Sequence, residues 1–422
     1  MEIGTAEAYF PQLVDIEQAA LRIAQVADPT PLQHSIRYSK RYGAEVFLKR
    51  EDLHRVRSYK IRGAFNKIAS LSKDQLERGV VCASAGNHAQ GVAFACSHLK
   101  VHGTIYMPMV TPGQKIEQTK MFGGQWVEVV LQGDTFDDSN QAAQDYCRQE
   151  GKTFVHPFDD PKIIEGQATV GLEILQQGDA PPDYLFVPVG GGGLASGLCG
   201  LIGACSPGTK IIGVEPQGAA SMTKAMERGA LVKLEKIDKF IDGAAVQQVG
   251  ALNLAICRDG LHKVVTVPEG RVCQEILDLY NRDAIVVEPA GALSIAALQD
   301  FADQIKGKRV VCVVSGGNND ITRMSEIKER ALLHAKLKHY FIIRFPQRPG
   351  ALKEFVAEIL GPGDDITHFE YSKKSSREQA PAVVGIELRS PEDLQPLVQR
   401  MKENNFFGDY LNDKPDLFQY LV

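Results

Sequence analysis

Short apolar segments rich in valine and isoleucine alternate with helix-length segments over the first 325 residues of the chain. Val80–Ala83, Gly103–Pro108, Tyr184–Val189 and Arg309–Ser315 are examples. Strands of a parallel sheet form continuous apolar runs because helices cover both faces of the sheet. The alternation therefore predicts an α/β fold in which parallel twisted sheets are covered by helices, with ligands at the carboxyl ends of the strands.

The chain changes in character after Thr322. A charged helix is predicted over residues 324–337, and the segments beyond it follow the order strand, helix, strand, strand, helix, strand. This βαββαβ order predicts a ferredoxin-like domain, for which about 85 residues are sufficient. The predicted domains are residues 1–325 with two α/β subdomains, a linker helix at 326–338 and a C-terminal domain at 339–422.

Composition excludes several classes of protein. The 422 residues carry a formal net charge of −5, which argues against a nucleic-acid partner or an anionic membrane surface. No apolar run is long enough to span a membrane, and Met1–Gly4 lacks the pattern of a signal peptide. The eight cysteines form no Cys-x-x-Cys pair, and the ten histidines show no metal-ligand spacing. We therefore expect a cytoplasmic protein whose cysteines are small core residues.

Lys60 lies in the segment Arg57–Ala64, which we predict to be the start of a helix capped by Ser58. The positive end of the helix dipole and the nearby Arg57 and Arg62 disfavour the ammonium form and should lower the pKa of Lys60. Schiff-base chemistry requires a neutral lysine amine of this kind. The alternative is an ordinary lysine on a solvated surface.

A run of four glycines, Gly190–Gly193, follows a predicted strand and opens a helix at Leu194. Glycines let backbone N–H groups converge on an anion, and a helix N-terminus adds favourable charge, so the run predicts a phosphate site. The same residues match a dinucleotide fingerprint that ends at Ala195, with Glu215 at about the distance needed to hold a ribose. A third alternative is tight packing of the helix against the strand.

Two further polar segments follow apolar strands. Ser84–His88 could hold a carboxylate through its backbone amides, and Asn87 offers both a donor and an acceptor. The alternative is a simple capped helix start, and we assign His88 a structural role. Ser315, at the start of a Gly- and Asn-rich segment, would place a hydroxyl at the ligand edge of the sheet, unless that segment is an ordinary turn.

Together these segments suit pyridoxal 5'-phosphate, because they offer one group each for the aldehyde, the phosphate, a substrate carboxylate and the ring nitrogen. Their order resembles the tryptophan synthase β-like superfamily of pyridoxal-phosphate enzymes (fold type II), and within it the threonine dehydratases. The resemblance covers residues from about 20 to 325. The four matching motifs are Ser58–Ala64 (with Tyr59 in place of phenylalanine), Ser84–Gly91, Gly190–Leu194 and Ser315–Asn318.

The resemblance implies a role for each matching residue. Lys60 would bind the cofactor covalently and take the substrate's Cα proton, Asn87 would bind the ring hydroxyl, and Ser315 would face the pyridine nitrogen. Ser84 and Glu288 are further catalytic candidates, although a structural role for Glu288 is an equal alternative. The phosphate would be bound by the backbone amides of Gly190, Gly191, Gly192, Gly193 and Leu194.

The implied reaction is the deamination of L-threonine to 2-oxobutanoate and ammonia by elimination of the β-hydroxyl, the first step of isoleucine biosynthesis. L-serine would be a secondary substrate that yields pyruvate. Within the superfamily, the alternatives are a serine-preferring dehydratase, a serine racemase and a β-replacement enzyme. Outside it, the alternatives are a nicotinamide-dependent oxidoreductase and a non-catalytic amino-acid sensor.

Two further expectations follow from the resemblance. Some relatives bind a divalent cation through a glutamate and an aspartate six residues later. Here Glu215 matches the glutamate, but Ser221 stands at the position of the aspartate, so we predict no metal site. The C-terminal domain resembles the ACT-like domain of biosynthetic threonine dehydratases, with one copy and a matching turn at Arg348–Leu352. Isoleucine is the expected effector, with valine as its antagonist, and the alternative is a domain that only supports a homotetramer or homodimer.

Overall fold

A computed structural model describes residues 9–371 and 379–414 of the chain. The chain divides into two compact units. The first extends to Glu269 and includes Leu279–Asn319, and the second comprises Gly270–Asp278 and the chain from Asp320 onward. In the described part of the chain, no helix is long and apolar enough to cross a membrane.

The larger sheet of the first unit has six strands. They are β1 (Leu32–His34), β2 (Glu45–Arg50), β7 (Tyr184–Pro188), β8 (Lys210–Pro216), β9 (Lys263–Val267) and β10 (Arg309–Val314). Their order is β1-β2-β10-β7-β8-β9, and all neighbours are parallel except β1, which runs antiparallel to β2. In β10, Val310 lies opposite Val46 on one side and Tyr184 on the other. All three side chains are buried, as expected for a central strand.

The smaller sheet of the first unit is parallel throughout. Its strands are β3 (Val80–Ala83), β4 (Gly103–Met107), β5 (Val127–Leu131) and β6 (Thr153–Phe154), in the order β5-β4-β3-β6. The predicted α/β fold with parallel sheets is therefore confirmed.

Helices connect and cover the strands of the first unit. They are α1 (Leu13–Ile23), α2 (Ile36–Tyr42), α3 (Lys60–Ala69), α4 (Lys73–Arg78), α5 (Asn87–Leu99), α6 (Gly113–Gly123), α7 (Phe136–Gln149), α8 (Pro161–Gln177), α9 (Gly193–Cys205), α10 (Ser221–Arg228), α11 (Ala251–Gly260), α12 (Glu269–Asp283, shared with the second unit), α13 (Pro289–Ala296) and α14 (Ala302–Ile305). Helices α3 and α8 cross closely at Gly63 and Gly166, which have no side chains. A Cβ on Gly166 would lie only 2.6 Å from the Cα of Gly63. This contact fixes α3, which begins at Lys60, against α8.

The second unit contains an antiparallel sheet covered by helices. Its elements are α15 (Met324–His334), β11 (Lys338–Pro346), α16 (Ala351–Glu354) with a π-helical turn (Phe355–Ile359), β12 (Asp365–Tyr371), β13 (Gln379–Glu387), α17 (Leu394–Glu403) and β14 (Phe407–Tyr410). The strand order β12-β13-β11-β14 is that of a ferredoxin-like fold, so the βαββαβ prediction is confirmed.

Some local predictions differ from the structure. Ser58 does not cap α3, because Tyr59 occupies the cap position, and the buried Ser58 hydroxyl has no hydrogen-bond partner among the described residues. The Ser58 backbone instead forms a β-bridge with Gly316, at the end of the central strand. Seven of the eight cysteines are buried as expected, but Cys205 is exposed.

Candidate active site

A cavity of about 830 Å³ lies within the first unit, beyond the carboxyl ends of strands from both sheets. Such strand ends are where ligands bind in open α/β sheets. The candidate residues come from five separate segments of the chain, yet all of them line this one cavity. They are Lys60, Ser84, Asn87, Gly190, Gly191, Gly192, Gly193, Leu194, Glu288 and Ser315.

Lys60 begins α3, and its Nζ donates a hydrogen bond to the carbonyl of Pro157 at 2.9 Å. Burial lowers the pKa of Lys60 to about 8, and the negative charge of Glu288 partly opposes this effect. The direction agrees with the sequence analysis, but the cause is burial rather than Arg57 and Arg62. The site therefore contains a lysine that is partly neutral near physiological pH.

Arg62 is buried beside Lys60, and its charge is balanced locally. Its guanidinium group donates to both carboxylate oxygens of Glu51 at 2.7 and 2.8 Å, and to both of Glu173 at 2.6 and 2.8 Å. A fifth bond reaches the hydroxyl of Thr169 at 3.1 Å, so all five donors are used. Lys49 joins the cluster through Glu173 at 2.5 Å. This cluster ties β2, α3 and α8 together beneath Lys60.

The glycine run, which we call the glycine cradle, packs so closely against its neighbours that added side chains would clash. A Cβ on Gly191 would lie 2.2 Å from the ring of Phe158, and a Cβ on Gly190 would lie 3.1 Å from Ala244. Gly192 has a φ of 96°, in the left-handed region, and caps α9. Gly190–Leu194 line the cavity at the start of α9, where backbone N–H groups and the helix dipole favour an anion, so these residues fit the phosphate of pyridoxal phosphate.

Glu215 does not have the role that the dinucleotide alternative requires, because it binds the start of α10 instead of facing a ligand. Its carboxylate accepts hydrogen bonds from the N–H groups of Met222 at 2.6 Å and Thr223 at 2.8 Å, at the start of α10. Glu215 is buried and is not among the residues that line the cavity. The dinucleotide alternative therefore lacks its ribose-binding acid. Among the described residues, no group of three His, Cys, Asp or Glu side chains could hold a metal ion.

Asn87 is held from both ends of its amide. Its Nδ2 donates to Oε1 of Glu288 at 2.6 Å, and its Oδ1 accepts from Nδ2 of Asn318 at 2.7 Å. Burial raises the pKa of Glu288 to about 7, with a contribution from Asp242, and the bond from Asn87 opposes that rise. Glu288 therefore fixes the orientation of the Asn87 amide at the cavity wall.

Ser315 and Ser84 present hydroxyl groups to the cavity. Ser315 is buried, and its Oγ donates to the carbonyl of Ala290 at 3.2 Å. Ser84 accepts a bond from the N–H of Gly86 at 3.3 Å, and Gly86 rather than Ser84 caps α5. Ser84 can donate its hydroxyl proton to a ligand, and Ser315 can do so when its hydroxyl proton rotates away from Ala290.

His88 lies in the interior. It is buried, and burial lowers its pKa to about 3, with a smaller contribution from Lys60. The ring Nε2 is 2.9 Å from the carbonyl of Val155. These contacts favour the structural role assigned to His88 rather than that of a base.

The sequence analysis missed the turn His156–Asp159, which also lines the cavity. Its Pro157 carbonyl accepts the bond from Lys60, and its Phe158 ring lies against Gly191. The local signal is a His-Pro pair, with an aspartate two residues after the proline, just beyond the short strand β6. Its significance depends on contacts with residues almost 100 positions earlier in the chain.

Two family profiles match the chain over nearly its whole length. Residues 23–316 match the pyridoxal-phosphate dependent enzymes, and residues 329–421 match the C-terminal regulatory domain of threonine dehydratase. The biosynthetic L-threonine dehydratases IlvA of Halalkalibacterium halodurans and Bacillus subtilis are each 53% identical over 411 residues. This alignment covers 97% of this chain and 99% and 97% of those proteins, respectively.

Solved structures with the same fold carry more than one activity in their names. Threonine deaminase isoform 2 from Solanum lycopersicum has a TM-score of 0.71 and 37% identity, covering 78% of this chain and 99% of that one. Maize serine racemase has the same TM-score of 0.71 with 29% identity, covering 77% of this chain and 99% of that one.

Proposed function

The chain belongs to the family of pyridoxal-phosphate-dependent enzymes, and on that premise we propose that it deaminates L-threonine to 2-oxobutanoate and ammonia. The observation that carries the proposal is the single cavity in which a lysine of lowered pKa, an all-glycine cradle and polar strand ends meet. The near full-length similarity to biosynthetic threonine dehydratases favours L-threonine as the main substrate, with L-serine secondary. The reaction is the first step of isoleucine biosynthesis.

The residues of the cavity can be matched to parts of the cofactor. Lys60 would hold the aldehyde, Gly190–Leu194 the phosphate, Asn87 the ring hydroxyl and Ser315 the ring nitrogen. When bound, pyridoxal phosphate withdraws electrons from the carbon that carries the substrate amine and makes its C–H bond acidic.

Lys60 would act as the base. With a pKa of about 8, a larger share of this amine would be neutral near pH 7.5 than of an ordinary lysine. Once the substrate amine has displaced it, the neutral Lys60 can accept the Cα proton. Lys60 is half-buried and lines the cavity, so its amine can meet a substrate bound there.

Ser315 would bias the outcome toward elimination. A hydroxyl cannot keep a ring nitrogen protonated as a carboxylate would, so less negative charge is drawn away from the substrate. Expulsion of the β-hydroxyl then competes better with return of the proton to Cα. This effect favours a dehydratase over a racemase.

The turn Ser84–Asn87 would bind the substrate carboxylate. It lies at the N-terminus of α5, where backbone N–H groups and the helix dipole favour an anion. Ser84 adds a hydroxyl that lines the cavity. Glu288 would act as a positioning residue, because its carboxylate fixes the Asn87 amide at 2.6 Å.

Regulation by isoleucine, with valine as antagonist, is the proposed role of the C-terminal domain. The match to a threonine dehydratase regulatory domain supports it. The turn Arg348–Leu352 also has suitable geometry, because Gly350 has a φ of 88° and caps a helix that begins at Ala351. We further propose a homotetramer or homodimer in the cytoplasm.

The test is release of 2-oxo acid from L-threonine and from L-serine, each with and without isoleucine. Faster turnover of threonine that is suppressed by isoleucine is expected, and Lys60→Ala should abolish turnover. Faster turnover of serine, or racemisation without 2-oxo acid, would instead favour the serine-directed alternatives within the superfamily.

A further inference from the structure

The turn His156–Asp159 contacts both reactive parts of the cavity. Its Pro157 carbonyl accepts a hydrogen bond from Nζ of Lys60 at 2.9 Å. The Phe158 ring occupies the space where a Cβ on Gly191 would lie, and Phe158 also packs against Gly193. The conformation of this turn therefore bears on the lysine and on the glycine cradle together.

His156 holds this turn through one ring nitrogen. Its Nδ1 accepts hydrogen bonds from the backbone N–H groups of Asp159 at 2.7 Å and Phe158 at 3.3 Å. A ring nitrogen that accepts cannot carry a proton, so the proton of the neutral imidazole lies on Nε2. The rings of Phe154 and Phe158 pack edge-on against the imidazole, with centroids 6.2 and 4.8 Å away.

The bond to the N–H of Phe158 acts on the carbonyl that faces Lys60. The Pro157 C=O and the Phe158 N–H belong to the same planar trans peptide unit, so they point in opposite directions. Because His156 binds the N–H end, the C=O end must point away from the imidazole. In the structure it points at Nζ of Lys60.

Other contacts fix the far side of the turn. The Asp159 carboxylate accepts hydrogen bonds from the N–H groups of Ala251 at 2.9 Å and Leu252 at 3.0 Å, at the start of α11. The Asn253 amide donates to the Phe158 carbonyl at 3.1 Å and to the Gly191 carbonyl at 2.9 Å. These bonds anchor the turn as a whole, whereas the N–H end of the Pro157–Phe158 peptide plane is bound by His156.

A fixed carbonyl matters for a lysine that acts as a base. A neutral amine has two N–H donors and one lone pair, and the lone pair must point at the proton to be removed. A carbonyl that accepts one N–H restricts rotation of the amine and so restricts the direction of the lone pair. Misdirection of a reacting group by even about 1 Å can cost on the order of 100-fold in rate.

We propose that His156 is a positioning residue for Lys60: through Nδ1 it orients the Pro157 carbonyl, which in turn orients the free amine for abstraction of the substrate's Cα proton. This inference rests on the proposed function, since it assigns Lys60 the role of base. The proton goes from Cα to Nζ, and His156 itself gains or loses none.

Three substitutions of His156 separate its two nitrogens. In His156→Asn, the side-chain oxygen lies near the place of Nδ1 and can accept the same two N–H groups. In His156→Gln, an amide NH₂ lies near the place of Nε2, but no acceptor replaces Nδ1. His156→Leu removes both functions. His339→Leu is the matched control, since His339 is a buried histidine with two hydrogen bonds, to Tyr410 and Lys336, in the second unit.

The first readout is steady-state kinetics of the full-length holoenzyme with L-threonine, below the unfolding temperature of every variant. His156→Gln and His156→Leu should lower kcat by about 10- to 100-fold with little change in KM. His156→Asn should stay within about threefold of the wild type, and His339→Leu should leave turnover without effector unchanged.

The second readout requires no turnover. In the cofactor-free full-length chain, reductive methylation at a series of pH values, followed by peptide mass spectrometry, gives the pKa of Lys60. Loss of the carbonyl acceptor removes a bond that favours the ammonium form, so His156→Gln and His156→Leu should lower that pKa by about 1. His156→Asn should leave it at the wild-type value.

Each contrary outcome is distinct. Wild-type kcat and Lys60 pKa in His156→Leu would overturn the inference. Activity kept by His156→Gln and lost by His156→Asn would also overturn it, and would assign His156 a direct donor role through Nε2. A wild-type enzyme inactive on threonine would instead contradict the proposed function, while the Lys60 titration would still measure the effect of His156.

Discussion

The amine of Lys60 lines the cavity, while the guanidinium group of Arg62 is buried and uses all five donors on Glu51, Glu173 and Thr169. Burial is the main cause of the lowered pKa of Lys60, and the attraction of Glu288 opposes it. Arg62 donates hydrogen bonds to Glu51 and Glu173. It therefore holds α3 in place and does not repel the charge of Lys60. The reactivity of the Lys60 amine therefore depends on how the cavity encloses it and not on the charge of Arg62.

The pKa of Lys60 predicts how the cofactor-free chain takes up pyridoxal phosphate. The neutral amine forms above the pKa, so the rate of uptake should rise with pH through about 8. Glu288→Gln removes the carboxylate that favours the ammonium form, so the midpoint should move to lower pH, by about 0.5–1. Stopped-flow absorbance over a series of pH values measures the midpoint.

Glu215→Gln is the matched control for this substitution. Glu215 is also a buried glutamate whose pKa is raised to about 7 by burial, but its carboxylate binds the start of α10. Its substitution should leave the midpoint in place. An unchanged or higher midpoint in Glu288→Gln would contradict the assigned interaction between Glu288 and Lys60.

Among the helices and strands, those that can be predicted are the ones whose burial is evident from the local pattern of apolar residues. Continuous apolar runs need covering on both faces, so the sequence predicts strands at Val80–Ala83 and Arg309–Ser315, and the structure has strands at Val80–Ala83 and Arg309–Val314. The prediction that Ser58 caps α3 is wrong, because its backbone pairs with Gly316. The local sequence of a serine before a helix does not reveal such a distant pairing. The role of the His156 turn depends on contacts with Lys60, 96 positions away, which no local pattern reveals.

The glycine cradle makes a prediction about one element, the start of α9. Gly191→Ala should weaken binding of pyridoxal phosphate and lower the unfolding temperature, because its Cβ would lie 2.2 Å from the Phe158 ring. Phe158→Ala in the same chain should recover part of both losses by removing the ring. Fluorescence titration of the cofactor and thermal unfolding measure the two effects.

Gly203→Ala, on the helix that follows the glycine cradle, is the matched control. Gly203 lies within α9, and a Cβ there would meet nothing within 4 Å. This substitution should stabilise the helix by up to about 1 kcal/mol and leave cofactor affinity unchanged. Equal losses in Gly191→Ala with and without Phe158→Ala would show that the ring is not the obstacle.

At the scale of the whole molecule, the described residues that line the cavity all belong to the first unit. An effector bound by the second unit would therefore act through a coupling free energy between two states, not by completing the site. Coupling of this kind is reciprocal for binding: if isoleucine weakens threonine binding, threonine weakens isoleucine binding by the same factor.

The turn at Arg348–Leu352 allows the two units to be perturbed separately. Gly350 has a φ of 88°, and a Cβ there would meet nothing within 4 Å, so the main effect expected of Gly350→Val is backbone strain. A cost of about 1.4 kcal/mol, were it all expressed in effector binding, would raise the isoleucine concentration for half-maximal effect about tenfold. Threonine turnover without isoleucine should stay at the wild-type rate.

Gly307→Val provides the same strain in the first unit, because Gly307 has a φ of 70° and also faces open space. Titration of threonine turnover with isoleucine, run in parallel on both variants, should show a shifted response only for Gly350→Val. Equal responses in the two variants would separate the effector site from this turn. Absence of any isoleucine response in the wild-type chain would favour a C-terminal domain that serves assembly alone, since a backbone strain cannot weaken a coupling that is not there.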